Sequence, residues 1–97
     1  MKFRLMLGRR GAYRRALLDQ DGKPTDAGAL IIADLARFCR AQQSTVVVSP
    51  IGKTVDTHAT MLAEGRREVF NRITYYLNLN EQQIYQLMER EHDRIPE

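Results

Sequence analysis

Tryptophan is absent from this 97-residue chain, and there is a single cysteine, Cys39. One cysteine excludes an internal disulfide, so the fold must hold together by non-covalent contacts. Cys39 stands between Phe38 and Arg40 on an expected helix, where it reads as a buried apolar filler rather than a reactive thiol. Long apolar runs are missing too. The longest has five residues, Ala29 to Ala33, far below the roughly 18 that a membrane-spanning helix needs. A secretory signal is rejected because arginines interrupt the apolar part of the N-terminal stretch MKFRLMLGRRGAYRRALL. An amphipathic, arginine-rich targeting peptide ranks below the partner-binding readings developed below.

Catalytic and metal constellations are lacking as well. His58 and His92 fall on different expected helices, with no cysteine or second histidine at ligand spacing. Ser44, Ser49 and Cys39 have no histidine at a diagnostic spacing. Gly52-Lys53-Thr54 looks like the end of a phosphate-binding loop, but the earlier glycine is missing. No catalytic residue, metal site or cofactor is therefore expected, and the chain reads as non-enzymatic.

What remains is ordinary globular composition, 43% hydrophobic and 28% charged, with a formal net charge of +3. Residues 1–97 read as one mainly α domain, a small bundle of three to four helices with a basic N-terminal arm and a short extended segment at about 44–51. Acid is absent from residues 1–18, which hold Lys2, Arg4, Arg9, Arg10, Arg14 and Arg15. Gly8 and Gly11 argue against one continuous helix, so 1–8 is expected as an extended arm and about 9–18 as a short helix carrying Tyr13, Leu17 and Leu18. Such a segment either meets acidic groups within the fold or on a neighbouring subunit, or binds phosphates or an acidic protein surface.

Asp19 to Thr25 reads as a turn through Asp21-Gly22 and Pro24. Thr25 is the expected cap of a second helix, running to about Ala41 with Leu30, Ile31, Leu35, Phe38 and Cys39 as its apolar face. Gly28 in its first turn permits close packing. Thr45, Val46, Val47 and Val48 before Pro50 mark the extended segment, either a connection or an edge open to another chain.

The longest helical pattern is Asp56 to Leu77, with Asp56 as cap. Ala59, Leu62, Val69, Ile73 and Tyr76 form the expected stripe, flanked by Met61, Phe70 and Leu77. Gly65 within it suggests close approach of another group or a bend, since a mid-helix glycine costs roughly 1 kcal/mol against alanine. Arg66 and Arg67 are adjacent and so diverge by about 100°, one outward and one along the helix, with Glu64 and Glu68 in pairing range. Asn80 and Gln83 then form a capping box for a last helix with Ile84, Leu87, Met88 and Ile95 on its face. Glu89, Glu91 and Asp93 near Arg90 and Arg94 read as solvated pairs. The basic N-terminal end and the acidic C-terminal end suit head-to-tail contact between copies of the chain.

Two stretches, taken together and in order, resemble a known family. The first is Thr25-Asp26-Ala27-Gly28 followed by Leu30 and Asp34-Leu35. The second is Ala63-Glu64-Gly65-Arg66-Arg67 followed by Val69 and the run from Ile73 to Leu77. This order is similar to that of small virion-associated proteins of tailed bacteriophages, encoded near the portal, capsid and tail genes of short-tailed phages (podophages). The resemblance covers roughly residues 25–87. It departs after Gly28, where Ala29 and Leu30 stand in place of the family's basic residues.

The resemblance implies a virion structural protein at the portal, head–tail or tail region, present in the virion and in the host cytoplasm during assembly. Its partners would be portal, adaptor or tail components, with several copies or a homo-oligomer, and non-specific DNA contact is compatible with the charge. The expected interface residues are Arg4, Arg9, Arg10, Arg14, Arg15, Arg66 and Arg67, and the expected close-packing positions are Gly28 and Gly65. The alternative is a DNA-binding module, such as a small-terminase-like packaging protein or a regulator.

Overall fold

Side-chain caps written into the sequence set three of the four helix starts. The computed structural model of the chain describes residues 8–41, 51–52 and 54–94. Its helices are α1 (Arg9–Leu17), α2 (Asp26–Phe38), α3 (Thr57–Leu77) and α4 (Glu81–Arg90), followed by a 3-10 turn, His92–Arg94. The Thr25 hydroxyl accepts from the Gly28 N–H at 3.0 Å, and the Asp56 carboxylate from the Ala59 N–H at 2.9 Å. Asn80 and Gln83 form the full capping box at 2.8 and 2.9 Å. Each cap satisfies N–H groups that have no partner inside the helix. α1 begins at Gly8, which has no side chain to supply.

Helix ends depend on two left-handed residues. Asn78, at φ 57°, closes α3, and the Leu79 N–H donates back to the Thr74 carbonyl at 3.1 Å. Arg40, at φ 55°, closes α2 in the same way, with the Ala41 N–H on the Ala36 carbonyl at 2.9 Å. α2 therefore ends at Phe38, short of the expected Ala41. The last helix also ends earlier than expected, at Arg90, and Ile95 lies outside the described residues. The arm, apart from Gly8, and the extended segment up to Pro50 lie outside them too, and Ile51 and Gly52 occupy a turn. Among the described residues there is no β-strand; Leu18 and Pro24 form an isolated antiparallel bridge.

That bridge closes the turn between α1 and α2. The Asp19 carboxylate accepts from the N–H groups of Asp21 and Lys23, at 2.8 and 3.0 Å, and Gly22 takes a φ of +79°. The Thr25 N–H donates to the Leu17 carbonyl at 3.1 Å. The start of α2 is thereby pressed onto the end of α1. A Cβ on Gly28 would stand 2.0 Å from the Leu17 carbonyl oxygen, so only glycine fits.

The core joins Leu18, Ala29, Ile32, Ala36 and Cys39 to Phe70, Leu77, Ile84 and Leu87. α2 packs chiefly on α4, and α1 packs on α3 and on the start of α2. On α2 the buried side is Gly28, Ala29, Ile32, Ala33 and Ala36, whereas Ile31 and Phe38 are exposed and Leu30 and Leu35 half-buried. This corrects the expected stripe at Ile31 and Phe38, whereas Cys39 lies in the core and Leu35 packs against it. Small side chains let neighbouring helices come close, so the alanine side faces inward.

On α3 the buried residues are Ala63, Phe70, Thr74 and Leu77, while Leu62 and Val69 are exposed. Ala63, Phe70 and Leu77 each follow an expected stripe residue by one position. The real inward face is thus turned by about 100° from the one the hydrophobic spacing suggested. Among the described residues a Cβ on Gly65 would meet nothing within 4 Å, so no close approach is seen there.

Candidate functional site

Two arginine-bearing surfaces emerge, one at the C-terminal end of α3 and one at its middle. The first gathers at its C-terminal end. α3 carries no basic residue in its own last turn, so the negative end of its dipole lacks an internal counter-charge. Arg14 of α1 supplies one from outside, its guanidinium donating to the Leu77 carbonyl at 3.1 Å. Tyr13, one residue earlier, stacks on Tyr76 with ring centroids 4.9 Å apart and an interplanar angle of 20°. These two contacts dock α1 on α3 and turn the first turn of α1 toward the tyrosines.

Arg9 and Arg10 then meet α3 through its aromatic pair. Arg9 donates to the Tyr76 hydroxyl at 3.4 Å. Arg10 lies 5.4 Å from the Tyr75 ring centroid and 5.9 Å from that of Tyr76. Arg72, four residues before Tyr76 on the same helix, lies 5.4 Å from its ring. Tyr75 meets Tyr76 edge-on at 5.4 Å and is 67% exposed. Three guanidiniums thus surround one phenol. The hydrogen bond from Arg9, then the nearby charges of Arg72, Arg9 and Arg10, hold the Tyr76 phenol below the usual tyrosine range against the opposing effect of desolvation. The same hydrogen bond raises Arg9. Among the described residues, Arg9, Arg10 and Arg72 have no carboxylate within ion-pair distance.

Arg15 turns elsewhere, onto the Gly11 carbonyl of its own helix at 3.4 Å. Beside it is an open hollow of about 660 Å³, lined by Arg10, Arg14 and Arg15 together with Leu18, Asp19 and Gly22. Arg4 lies outside the described residues.

The second surface centres on Arg66 and Arg67. Arg67 is half-buried and donates to the Ala41 carbonyl at 3.1 Å, tying α3 to the residues that close α2. Arg66 is exposed and lies over the Phe38 ring at 4.5 Å. Leu62, Arg66 and Val69 share one side of α3 by their spacing of four and three. Phe38, Leu62 and Val69 are 58%, 57% and 60% exposed. Ile31, seven residues before Phe38, is exposed on the same side of α2. An apolar surface crossed by a guanidinium therefore faces outward here. Cys39 is buried, and burial pushes its thiol up while Arg66 pulls the other way.

The acidic C-terminal end differs from the expected solvated face. Glu91 is 3% exposed, and its carboxylate accepts from Arg94 at 3.0 Å and from Arg90 at 3.4 Å. It pins the 3-10 turn to the end of α4. His92 pairs with its neighbour Asp93 at 3.3 Å. Among the described residues no cluster could hold a metal ion, and no helix is long and apolar enough to cross a membrane.

Sequence reasoning named Arg9, Arg10, Arg14 and Arg66 but missed Arg72, Tyr13, Tyr75 and Tyr76 as their companions. The signal was present in the four-residue spacing of Arg72 and Tyr76. The apolar stripe masks it, because the spacing of Tyr76 with Val69 and Ile73 reads as packing and not as a partner for arginine. No curated protein and no solved structure matches the chain. A family model does match, over residues 13–89, spanning all but the first turn of α1 and nearly all of α4, and the chain belongs to that family, the Bbp19-like phage proteins.

Proposed function

We propose that this phage protein is a non-enzymatic structural component of the virion, held at the portal, head–tail or tail region by contacts with larger structural proteins and present in several copies. The observation that carries the reading is the outward apolar surface of Phe38, Leu62 and Val69 around Arg66. A chain this small leaves such a surface open at the expense of its own core. Leucine, valine and phenylalanine beside an arginine fork are the chemistry of a protein–protein contact, with apolar burial for affinity and the guanidinium for orientation. Arg67 is spent on the Ala41 carbonyl and serves the fold.

Mass spectrometry of purified particles, with the copy number of this chain set against that of the portal protein, tests the reading. A fixed count per particle that changes on Leu62→Asp supports it. Absence from particles refutes it and leaves a packaging or regulatory DNA-binding protein as the better account. The arginine–tyrosine surface favours that second reading. The spacing of the helices does not, since residues 39–56 separate α2 from α3 where a helix-turn-helix uses a link of about three or four.

A further inference from the structure

We propose that Arg9, Arg10 and Arg72, together with the exposed ring of Tyr75, form a binding face for single-stranded nucleic acid, the guanidiniums taking phosphates and the ring taking a base. The inference does not rest on a place in the virion.

Electrostatics favours an anionic ligand here. Arg9 and Arg10 sit in the first turn of α1, which contains no acid. That is the positive end of the helix dipole, where cations are disfavoured. Arg72 comes from another helix and converges on the same phenol. Three like charges are held together with no carboxylate among the described residues within ion-pair distance. Arg14 and Tyr13 already dock α1 on α3, so the fold does not require the other three arginines to gather here. A polyanion relieves this repulsion, and releasing its counterions adds to the affinity.

The aromatic rings distinguish a nucleic acid from an acidic protein as the ligand. Carboxylates would satisfy the arginines and leave the aromatic rings unused. Here the rings are interleaved with the cations. Tyr76 is covered by Tyr13, and Tyr75 stands edge-on to it and open to solvent. An exposed ring beside guanidiniums is the arrangement on which unpaired bases stack, with the strand's phosphates alongside. The fit is to a strand with free bases, since a duplex hides the base faces from a side chain.

The test is fluorescence anisotropy of the full chain with a labelled oligodeoxynucleotide, single- and double-stranded in parallel, over a salt series. The single strand is expected to bind more tightly, with log K falling against log salt at a slope of about −2 or steeper, as three phosphate contacts require. Arg10→Ala with Arg72→Ala should weaken binding about tenfold or more and flatten the slope by about 1.4. Tyr75→Ala should weaken it about fivefold or more, and Tyr75→Phe should restore it, because stacking needs the ring and not the hydroxyl. These side chains are exposed, and circular-dichroism melting verifies that the variants fold. All the variants keep residues 1–7, so a loss cannot be assigned to Lys2 or Arg4. With no tryptophan in the chain, quenching of tyrosine fluorescence by unlabelled strand reads stacking independently. Unchanged binding in both the arginine and the tyrosine variants overturns the proposal. So does tight binding of polyglutamate that ignores Tyr75→Ala, which would identify an acidic protein as the partner, and so does a preference for duplex that survives Tyr75→Ala.

Discussion

The two halves of α3 are one continuous helix with opposite roles. From Phe70 onward it is the centre of the molecule: Phe70, Thr74 and Leu77 are buried, and α1 lies along it. Before Phe70 only Ala63 is buried, while Met61, Leu62 and Val69 face outward. Apolar residues populate both halves, so hydrophobicity alone does not distinguish them. The difference is whether another helix covers them. A helix that outruns its neighbours keeps its backbone hydrogen bonds but leaves side chains without partners, and those side chains become available to something else.

The contrast can be broken most severely at Phe70, which is 1% exposed. Phe70→Ala should destabilise the chain by about 3–5 kcal/mol in denaturant unfolding, through lost burial and a cavity. Leu62→Ala, on the other half, should stay within about 0.5 kcal/mol of the parent. A comparable loss at both positions would mean that the outward half is covered after all.

Glycine supplies a second pair. Gly28→Ala drives a methyl into the Leu17 carbonyl and should cost about 1–3 kcal/mol, because the obstacle is backbone and cannot rotate away. Gly65→Ala meets open space and should raise stability by up to about 1 kcal/mol, visible as a higher melting temperature. A loss at Gly65 would reveal a contact there.

The caps give a smaller and sharper test. Asn80→Ala, at the join between α3 and α4, should cost about 1 kcal/mol. Asp56→Ala caps the outward half and should mainly fray it, so amide exchange should accelerate from Thr57 to Met61 with little change near Leu77. Exchange rising equally along α3 would show the two halves to be one cooperative unit.

The smallest effect near neutral pH is at Tyr76. Its phenol is depressed in the fold, so the stability linked to its ionisation is fully present only above the unfolded tyrosine pKa. It is lost as pH falls through the depressed folded value. Tyr76→Phe should therefore leave neutral stability nearly unchanged on this account. In an alkaline absorbance titration it should remove a phenol that ionises below the usual tyrosine range, and survival of that phase would contradict the arginine cluster around Tyr76.

Some of this was legible in the residues alone. Thr25, Asp56 and Asn80 were identified as caps, and Gln83 as the second half of the capping box, because capping is local chemistry between residues a few positions apart. Asp19 to Thr25 reads as a turn for the same reason. Faces were less legible. On α2 and α3 the large residues drew the stripe toward Ile31, Phe38, Leu62 and Val69, and the fold buried the neighbouring alanines and Phe70 instead. Spacing defines a helix but leaves the choice among adjacent faces open when apolar residues lie on several of them. Glu91 departs from expectation for another reason: it stands four residues past Leu87 and seven past Ile84, on their buried face, but its charge suggests solvent where the spacing points inward.

By itself, then, the sequence determined the mainly helical class, three helix starts, the lack of an internal disulfide and the excess of positive charge in residues 1–18, all properties of composition or short range. Only the tertiary structure decided that Arg14 closes α3 while Arg9 and Arg10 join Arg72 around Tyr76, and that Arg66 turns outward while Arg67 holds Ala41. Those assignments bring together residues from 26 to 67 positions apart. Such meetings follow from how whole helices pack, and no local rule carries that information.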